Sequence, residues 1–344
     1  MKRKEVYLAI GSVLVAFGAA EAAARIFLPA PFRSGEEPVI HRVRLHRSDP
    51  RIGWVLSETP VRVPHRLADA QGNVQYDVTY TVAAGQRRTS ENPPEAPPVI
   101  ATGCSFTFGH GLNDQDTWPW LLQQRSPRYR VMNVATMGYG TDQALLAAER
   151  QVDRSRRKPQ AVVLGFADFQ IERNRSPQGW MVHVYPFSKP LFEMVGTGIA
   201  YQRQVRFWPL GPLGHSDLLA HAANTLANRA YGIPSHEQAR DLTVALITAF
   251  ARRFESDRVR LAVVILPYVA DTEPQAKLDT AFVVEHLRAA GIPVLVPEFP
   301  RLPGGYFDFK RYLLSPIDRH PNRQYNLELT DQLEPFLSSV LPAQ

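Results

Sequence analysis

Five short apolar runs recur at wide spacing between residues 98 and 300, and they constrain the fold more than any other feature. The runs are Val99–Thr102, Val131–Ala135, Ala161–Phe166, Leu261–Pro267 and Ile292–Val296. Continuous apolarity, without alternation, is typical of strands that are covered on both faces. Helical patterns lie between the runs, at Trp118–Gln124, Asp142–Val152, Glu237–Phe254 and Gln275–Ala290. The sequence therefore predicts an α/β fold with three layers, α/β/α, around a parallel sheet.

The N-terminus combines basic residues with a long uncharged stretch. Three basic residues precede Val6–Ala20, and Glu21 and Arg25 follow one helical turn apart. Residues 1–30 are predicted to form a transmembrane signal anchor, with those two charges at the outer interface. Since basic residues stay inside, this predicts a single-pass protein of the bacterial inner membrane with its main domain on the periplasmic side. The alternative is a signal peptide that is cleaved near Ala22–Ala24.

A Pro-rich section separates this segment from the apolar runs. Residues 31–97 lack helical periodicity, and Tyr76–Val82 alternates like a half-exposed strand. The segment Asn92–Pro98 is a stiff spacer. We expect a stalk and a small β-rich lead-in at 31–97 and a main domain at 98–344.

The third and fourth apolar runs are separated by an unusually long connection. Ordinary connections in such folds have about 2 to 6 residues, whereas residues 172–234 here form an insertion rich in aromatic side chains. These side chains form either a lid or groove wall for sugars, or a small satellite core.

The amino-acid composition excludes few functions, but it limits the kinds of partner that the protein could bind. The net charge is +6, yet the basic residues are scattered and no nucleic-acid motif accompanies them, so no nucleic-acid partner is predicted. Cys104 is the single cysteine, so no intramolecular disulfide can form. The spacing of His215 and His221 matches no usual helical zinc pair. We predict no metal and no cofactor.

A serine stands where the first predicted strand ends and a helix begins. It is Ser105, within the segment Cys104–Gly109. Parallel α/β sheets place their chemistry at this edge. Near the C-terminus, His320 could act as the base that such a serine needs, and Asp318 could orient that base. This combination favours a hydrolase.

These blocks resemble the SGNH, or GDSL-like, hydrolases, in which short blocks around a serine, a glycine, an asparagine and a late Asp and His form the site. The resemblance covers residues 98–344, and it implies a flavodoxin-like, five-stranded parallel sheet. It also implies an acyl-enzyme on Ser105, with His320 as the base and Asp318 as its partner. No Gly-x-Ser-x-Gly elbow is present, which argues against an ordinary α/β-hydrolase.

The resemblance further implies an oxyanion hole made by the backbone amides of Ser105 and Gly138. The asparagine block departs from the family, because Ala167 occupies the place of the asparagine. Asn174 or Gln170 is a weaker candidate for the missing side-chain donor. The neighbouring Asp168 is expected to be structural. Cys104 is a second departure, because it stands where the family usually has aspartate, and we expect it to be packed within the loop.

The predicted activity is therefore that of a serine esterase or deacetylase acting on ester-linked acyl groups. Its predicted partner is an acylated carbohydrate, at the cell surface or secreted, or another ester. Two alternatives stay open: a catalytically weak or inactive protein of the same fold that binds polysaccharide, and an O-acyltransferase.

Overall fold

The computed structural model describes residues 3–28, 45–91, 95–209, 215–268, 274–302 and 307–341. The strands are β1 (His46–Asp49), β2 (Gly53–Leu56), β3 (Val61–Ala68), β4 (Val74–Ala83), β5 (Gln86–Arg87), β6 (Pro98–Gly103), β7 (Arg130–Asn133), β8 (Ala161–Phe166), β9 (Ser188–Val195), β10 (Gly198–Arg206), β11 (Arg260–Ile265) and β12 (Val294–Leu295). The α-helices are α1 (Arg3–Phe27), α2 (Ser105–Phe108), α3 (Trp118–Arg125), α4 (Thr141–Arg154), α5 (Phe169–Arg175), α6 (Gln178–Met181), α7 (Asp217–Tyr231), α8 (His236–Ser256), α9 (Pro274–Ala289), α10 (Phe309–Tyr312) and α11 (Arg323–Val340). Short 3-10 turns occur at Asp114–Asp116 and Val182–Val184.

Five parallel strands form the centre of the main sheet, in the spatial order β12, β11, β8, β6, β7. Counted along the chain, this is the order 2-1-3-4-5 of a flavodoxin-like sheet. Every residue of β6 and β8 is buried, because both strands are apolar on both faces. The predicted α/β fold and its five parallel strands are confirmed.

Two apolar clusters lie on opposite faces of this sheet. Alternate strand residues such as Ile100 and Val162 pack with α4, α8 and α9, whereas Val99 and Val163 pack with α3 and α11. The result is the predicted three-layer arrangement. Helix α8 begins at a capping box, in which the Ser235 hydroxyl accepts from the Gln238 amide.

The β-rich lead-in continues the main sheet. Arg87 in β5 pairs antiparallel with Asn133 in β7, and β4 and β3 follow outward in antiparallel register. Within the described residues, the main sheet therefore has eight strands. As a consequence, side chains of the lead-in reach the edge of the sheet at which β6 ends. The boundary between residues 97 and 98 stays a prediction.

The insertion at 172–234 forms the β9–β10 hairpin and helices α6 and α7. Its buried aromatic side chains belong to the same apolar cluster as α4 and α8, and they are Phe187, Phe192 and Phe207. The insertion thus enlarges the main core in place of forming a separate satellite core. Three aromatic side chains in the described part of the insertion are exposed, namely Tyr185, Tyr201 and Trp208.

Helix α1 is long and apolar enough to cross a membrane, with a mean hydropathy of 1.8 over its most apolar window. A signal sequence near the N-terminus would have the same length and composition. The end of the helix contacts α7: the Glu21 carboxylate accepts hydrogen bonds from the Ser216 hydroxyl at 2.7 Å and from the Leu218 amide at 3.1 Å. Ala24, one turn later, is buried.

Candidate active site

The serine block turns sharply between β6 and α2. Gly103 has φ +147°, and a Cβ there would lie 2.6 Å from the Thr107 hydroxyl oxygen and 2.8 Å from the Gly165 carbonyl oxygen. Only glycine fits this position without a shift of its neighbours. The turn places Ser105 at the first residue of α2, where the amide has no intrahelical acceptor. Its side chain is nearly buried, at 5% exposure.

The late Asp and His block lies directly beside this serine. His320 Nε2 is 2.9 Å from Ser105 Oγ, and His320 Nδ1 is 2.6 Å from Asp318 Oδ1. Asp318 Oδ1 also accepts from the His320 amide at 3.0 Å, and the Asp318 amide donates to Ser315 Oγ at 3.1 Å. The three predicted catalytic side chains are therefore brought together, although Asp318 lies 213 positions after Ser105 in the chain.

The second carboxylate oxygen of Asp318 has partners that the sequence analysis missed. The Tyr76 hydroxyl donates to Asp318 Oδ2 at 3.0 Å, and His110 Nε2 lies 3.4 Å from the same oxygen. Burial alone would raise the pKa of Asp318, but hydrogen bonds from His110 and His320 outweigh burial and hold that pKa well below its usual range. Asp318 is thus a carboxylate at any pH at which the protein would work.

A buried histidine, His110, sits against the imidazole of His320, with ring centroids 4.3 Å apart. Its Nδ1 faces the Met137 sulfur at 3.0 Å, and its Nε2 is 3.1 Å from the Tyr76 hydroxyl. Burial, followed by the neighbouring His320, lowers the pKa of His110 to about 4. His110 is therefore neutral near neutral pH and adds no positive charge beside His320.

Acid is expected to destabilise the protein through His110 between pH 6.5 and 4. In this window the unfolded chain binds a proton that the folded chain does not, so the free energy of unfolding falls as the pH falls, by up to about 3 kcal/mol. Urea unfolding at several pH values measures this slope, and we expect His110→Gln to flatten it. The exposed His286 provides a matched control variant, His286→Gln, which should keep the wild-type slope. An equally steep slope in His110→Gln would contradict the assignment.

The loop that carries Gly138 is clamped by the lead-in. The indole N–H of Trp54 donates to the Met137 carbonyl at 3.0 Å, and the Tyr139 hydroxyl donates to the Trp54 carbonyl at 2.6 Å. Gly138 itself has φ +79°, and among the described residues its amide meets no acceptor. A rigid loop therefore holds a backbone donor that has no partner of its own.

The asparagine block supplies no equivalent donor. Ala167 is buried and apolar. Asn174 donates to Thr243 Oγ1 at 2.7 Å and accepts from the Thr141 amide at 2.8 Å, while Gln170 donates to the Gly165 carbonyl at 3.0 Å. Both amide side chains are thus engaged in holding α5 to its surroundings, and this geometry does not favour the weak oxyanion role suggested for Asn174.

Asp168, next to Ala167, is largely removed from solvent. Burial raises its pKa to about 6, with a hydrogen bond from Tyr268 acting in the opposite direction. One of its carboxylate oxygens has no hydrogen-bond partner among the described residues. The structural role expected for Asp168 stays a prediction.

One group of possible metal ligands occurs in the described part of the chain, and it coincides with the serine site. Ligand atoms of His110, Asp318 and His320 lie within 4.8 Å of one another. The contacts of His320 with Ser105 and Asp318, at 2.9 and 2.6 Å, have hydrogen-bond lengths. Hydrogen bonds alone thus account for the arrangement of these side chains.

No protein-family model matches this chain, and no curated protein matches it. Several solved structures do match it. The chain resembles solved hydrolases of the SGNH type. It aligns with TesA (12% identity, 71% of this chain and 99% of that chain, TM-score 0.43) and with the esterase EstA from Pseudoalteromonas sp. (12% identity, 71% and 97%, TM-score 0.39). It also aligns with AlinE4, an SGNH-hydrolase family esterase (12% identity, 73% and 100%, TM-score 0.35). At identities this low, the similarity concerns the fold alone.

Proposed function

We propose that the protein is a serine esterase that removes or transfers ester-linked acyl groups. The observation that carries this proposal is the continuous hydrogen-bond path from Ser105 Oγ through His320 to Asp318, at 2.9 and 2.6 Å. A neutral imidazole whose Nδ1–H is held by a carboxylate presents its Nε2 lone pair to the serine hydroxyl. That arrangement makes Ser105 a nucleophile.

In the first half of the reaction, Ser105 Oγ forms a bond to the ester carbonyl carbon while its proton moves to His320 Nε2. The tetrahedral intermediate then collapses, the bond to the alcohol oxygen breaks, and His320 returns the proton to that oxygen. In the second half, water attacks the acyl-enzyme and gives a proton to His320, which passes it to Ser105 Oγ as the acid leaves. Asp318 remains a carboxylate throughout and stabilises the imidazolium.

Two backbone amides, those of Ser105 and Gly138, are proposed to stabilise the oxyanion. The first belongs to the opening residue of α2, and the second lies in the loop that Trp54 clamps. Loss of one oxyanion donor typically costs about 2.7 to 4 kcal/mol of transition-state stabilisation. With Ala167 in place of a donor, we expect slower turnover than a complete hole would give. The inactive polysaccharide-binding alternative rests on this residue and on Cys104.

The proposed substrate is an O-acyl group, such as acetyl, on a cell-surface or secreted carbohydrate. Support comes from helix α1, which would anchor the protein in the inner membrane with the site on the periplasmic side, and from the exposed Tyr185, Tyr201 and Trp208. Aromatic rings of this kind offer apolar faces to sugars. If α1 is instead a signal peptide, the same site would act as a secreted enzyme.

A fluorophosphonate probe tests the proposal directly. We expect the purified protein to become labelled on Ser105, as located by peptide mass spectrometry, and to release acetate from 4-nitrophenyl acetate. Absence of labelling would favour the inactive alternative. Incubation with an acyl donor and a glycan, followed by product analysis, separates transfer to sugar from transfer to water.

A further inference from the structure

A cation, Arg173, stands near the site and takes no part in the proposed mechanism. The guanidinium carbon of Arg173, on α5, lies 4.3 Å from the centre of the Phe169 ring and 4.5 Å from that of Trp180. One of its N–H groups donates to the Tyr139 carbonyl at 3.1 Å. Two aromatic rings and a backbone carbonyl thus fix this side chain in a half-buried position.

Arg173 is connected to the serine site through neighbouring residues. Tyr139 follows Gly138, and the Arg173 guanidinium interacts electrostatically with the side chain of Cys104, which precedes Ser105. The Phe169 ring packs on Phe106 with centroids 5.3 Å apart. Phe106 in turn lies 5.6 Å from the His320 ring. The cation therefore interacts with the chain neighbours of both proposed oxyanion amides, and two aromatic rings separate it from the imidazole.

Arg173 lacks the carboxylate partner that neighbouring cations have. Within the part of the chain that the structure describes, no carboxylate oxygen lies within 4.0 Å of its guanidinium. By contrast, Arg175 pairs with Glu172 at 2.6 Å, and the buried Lys189 pairs with Asp142. A partly desolvated cation without a counterion is costly unless an anion reaches it. A guanidinium that meets aromatic rings through its face keeps N–H groups at its edge, which suit a carboxylate.

We propose that Arg173 forms a subsite for a carboxylate group of the substrate, so that the preferred substrates are acyl esters of acidic molecules such as sugar acids. This inference rests on the ester hydrolysis proposed above and adds the charge of the substrate. Phe169 and Trp180 hold the guanidinium in place, and Tyr139 directs its edge. Arg173 is then a specificity-determining residue that acts on binding of the acid-bearing portion, while Ser105 acts on the acyl group.

Two esters that differ by one carboxylate test the subsite: phenyl acetate and 4-acetoxybenzoate. For Arg173→Gln we expect kcat/KM on 4-acetoxybenzoate to fall by about 10- to 100-fold, mainly through KM, with phenyl acetate changed less than about 2-fold. For Arg173→Lys we expect a kcat/KM on 4-acetoxybenzoate between those of the wild type and Arg173→Gln. Lysine keeps the positive charge but lacks the planar guanidinium. Arg175→Gln, two residues away on the same helix, should change neither ester selectively. An equal loss on both esters would show that Arg173 supports the fold or the oxyanion, and would overturn the inference.

Direct binding separates failure of this inference from failure of the esterase proposal. In Ser105→Ala protein, calorimetric titration with sodium glucuronate should show saturable binding, and glucose at the same concentration should show none. Adding Arg173→Gln should weaken glucuronate binding by about 10-fold or more. Saturable, Arg173-dependent binding in a protein that cleaves no ester would keep the subsite and reject the esterase. Absence of binding, or binding indifferent to Arg173, would reject the subsite even if Ser105 is active.

Discussion

Ester hydrolysis should be almost abolished by Ser105→Ala, with kcat reduced by about 10⁴- to 10⁶-fold. The hydroxyl removed is the group that would form the acyl-enzyme. The remaining groups could still bind the ester and stabilise charge, so a small activity over water is expected to survive. Hydrolysis of 4-nitrophenyl acetate at saturating concentration measures the loss in kcat.

The fold should survive this change, because the Ser105 side chain contributes a single hydrogen bond, to His320. The matched control is Ser339→Ala on α11, an exposed serine whose hydroxyl donates to the Phe336 carbonyl at 2.7 Å. It should keep wild-type activity. If Ser105→Ala retained more than a tenth of the wild-type kcat while its unfolding curve stayed unchanged, the nucleophile would have to lie elsewhere.

The central sheet and the meeting of Ser105 with His320 follow from simple physical patterns in the sequence. Strands such as β6 and β8 are apolar on both faces, so they can be stable only between two helical layers. The carboxyl ends of parallel strands then share one edge, and Ser105 stands directly after β6. The Asp318–His320 pair reaches that edge because α11 packs beside α3 on one face of the sheet.

The partners of the second Asp318 oxygen could not be predicted in this way. Alternation in Tyr76–Val82 correctly indicated a strand, but the pattern does not say which sheet edge the strand joins. Pairing of β5 with β7 decides this, and it rests on a single residue pair, Arg87 with Asn133. Only then does Tyr76 come within 3.0 Å of Asp318. His110 did carry a local signal, since it lies five positions after Ser105 and directly follows the Cys104–Gly109 segment.

The contacts of the Asn174 side chain also could not be predicted from the sequence. A lone asparagine shortly after the third strand invites an oxyanion role by proximity in sequence. Its side chain instead joins the start of α4 to α8, through Thr141 and Thr243. Amide side chains satisfy buried backbone groups wherever helices meet, and residue type alone does not separate that use from catalysis.

Arg87→Met is expected to lower the free energy of unfolding by about 3 to 5 kcal/mol, the usual cost of removing one partner of a buried ion pair. Arg87 is 1% exposed. Its guanidinium donates to Asp114 at 3.0 Å and, at 2.6 Å each, to the carbonyls of Phe108, Gly109 and Leu112. Methionine keeps the packing of the chain but leaves a carboxylate and three carbonyl oxygens without these donors. Urea unfolding followed by circular dichroism measures the loss.

The neighbouring Arg88→Met serves as the control, because Arg88 is exposed and lies 3.6 Å from a Glu91 that is exposed too, a pair worth at most about 1 kcal/mol. A double-mutant cycle gives the sharper test. In Arg87→Met/Asp114→Asn the stranded carboxylate is neutralised, so the double variant should lose less than the sum of the two single losses. Additive losses, or a loss under about 1 kcal/mol for Arg87→Met, would mean that the guanidinium does not hold this loop. Because the loop continues into His110, destabilising it should also loosen the contacts around Asp318, and the lead-in strand β5 would then be required for activity as well as for folding.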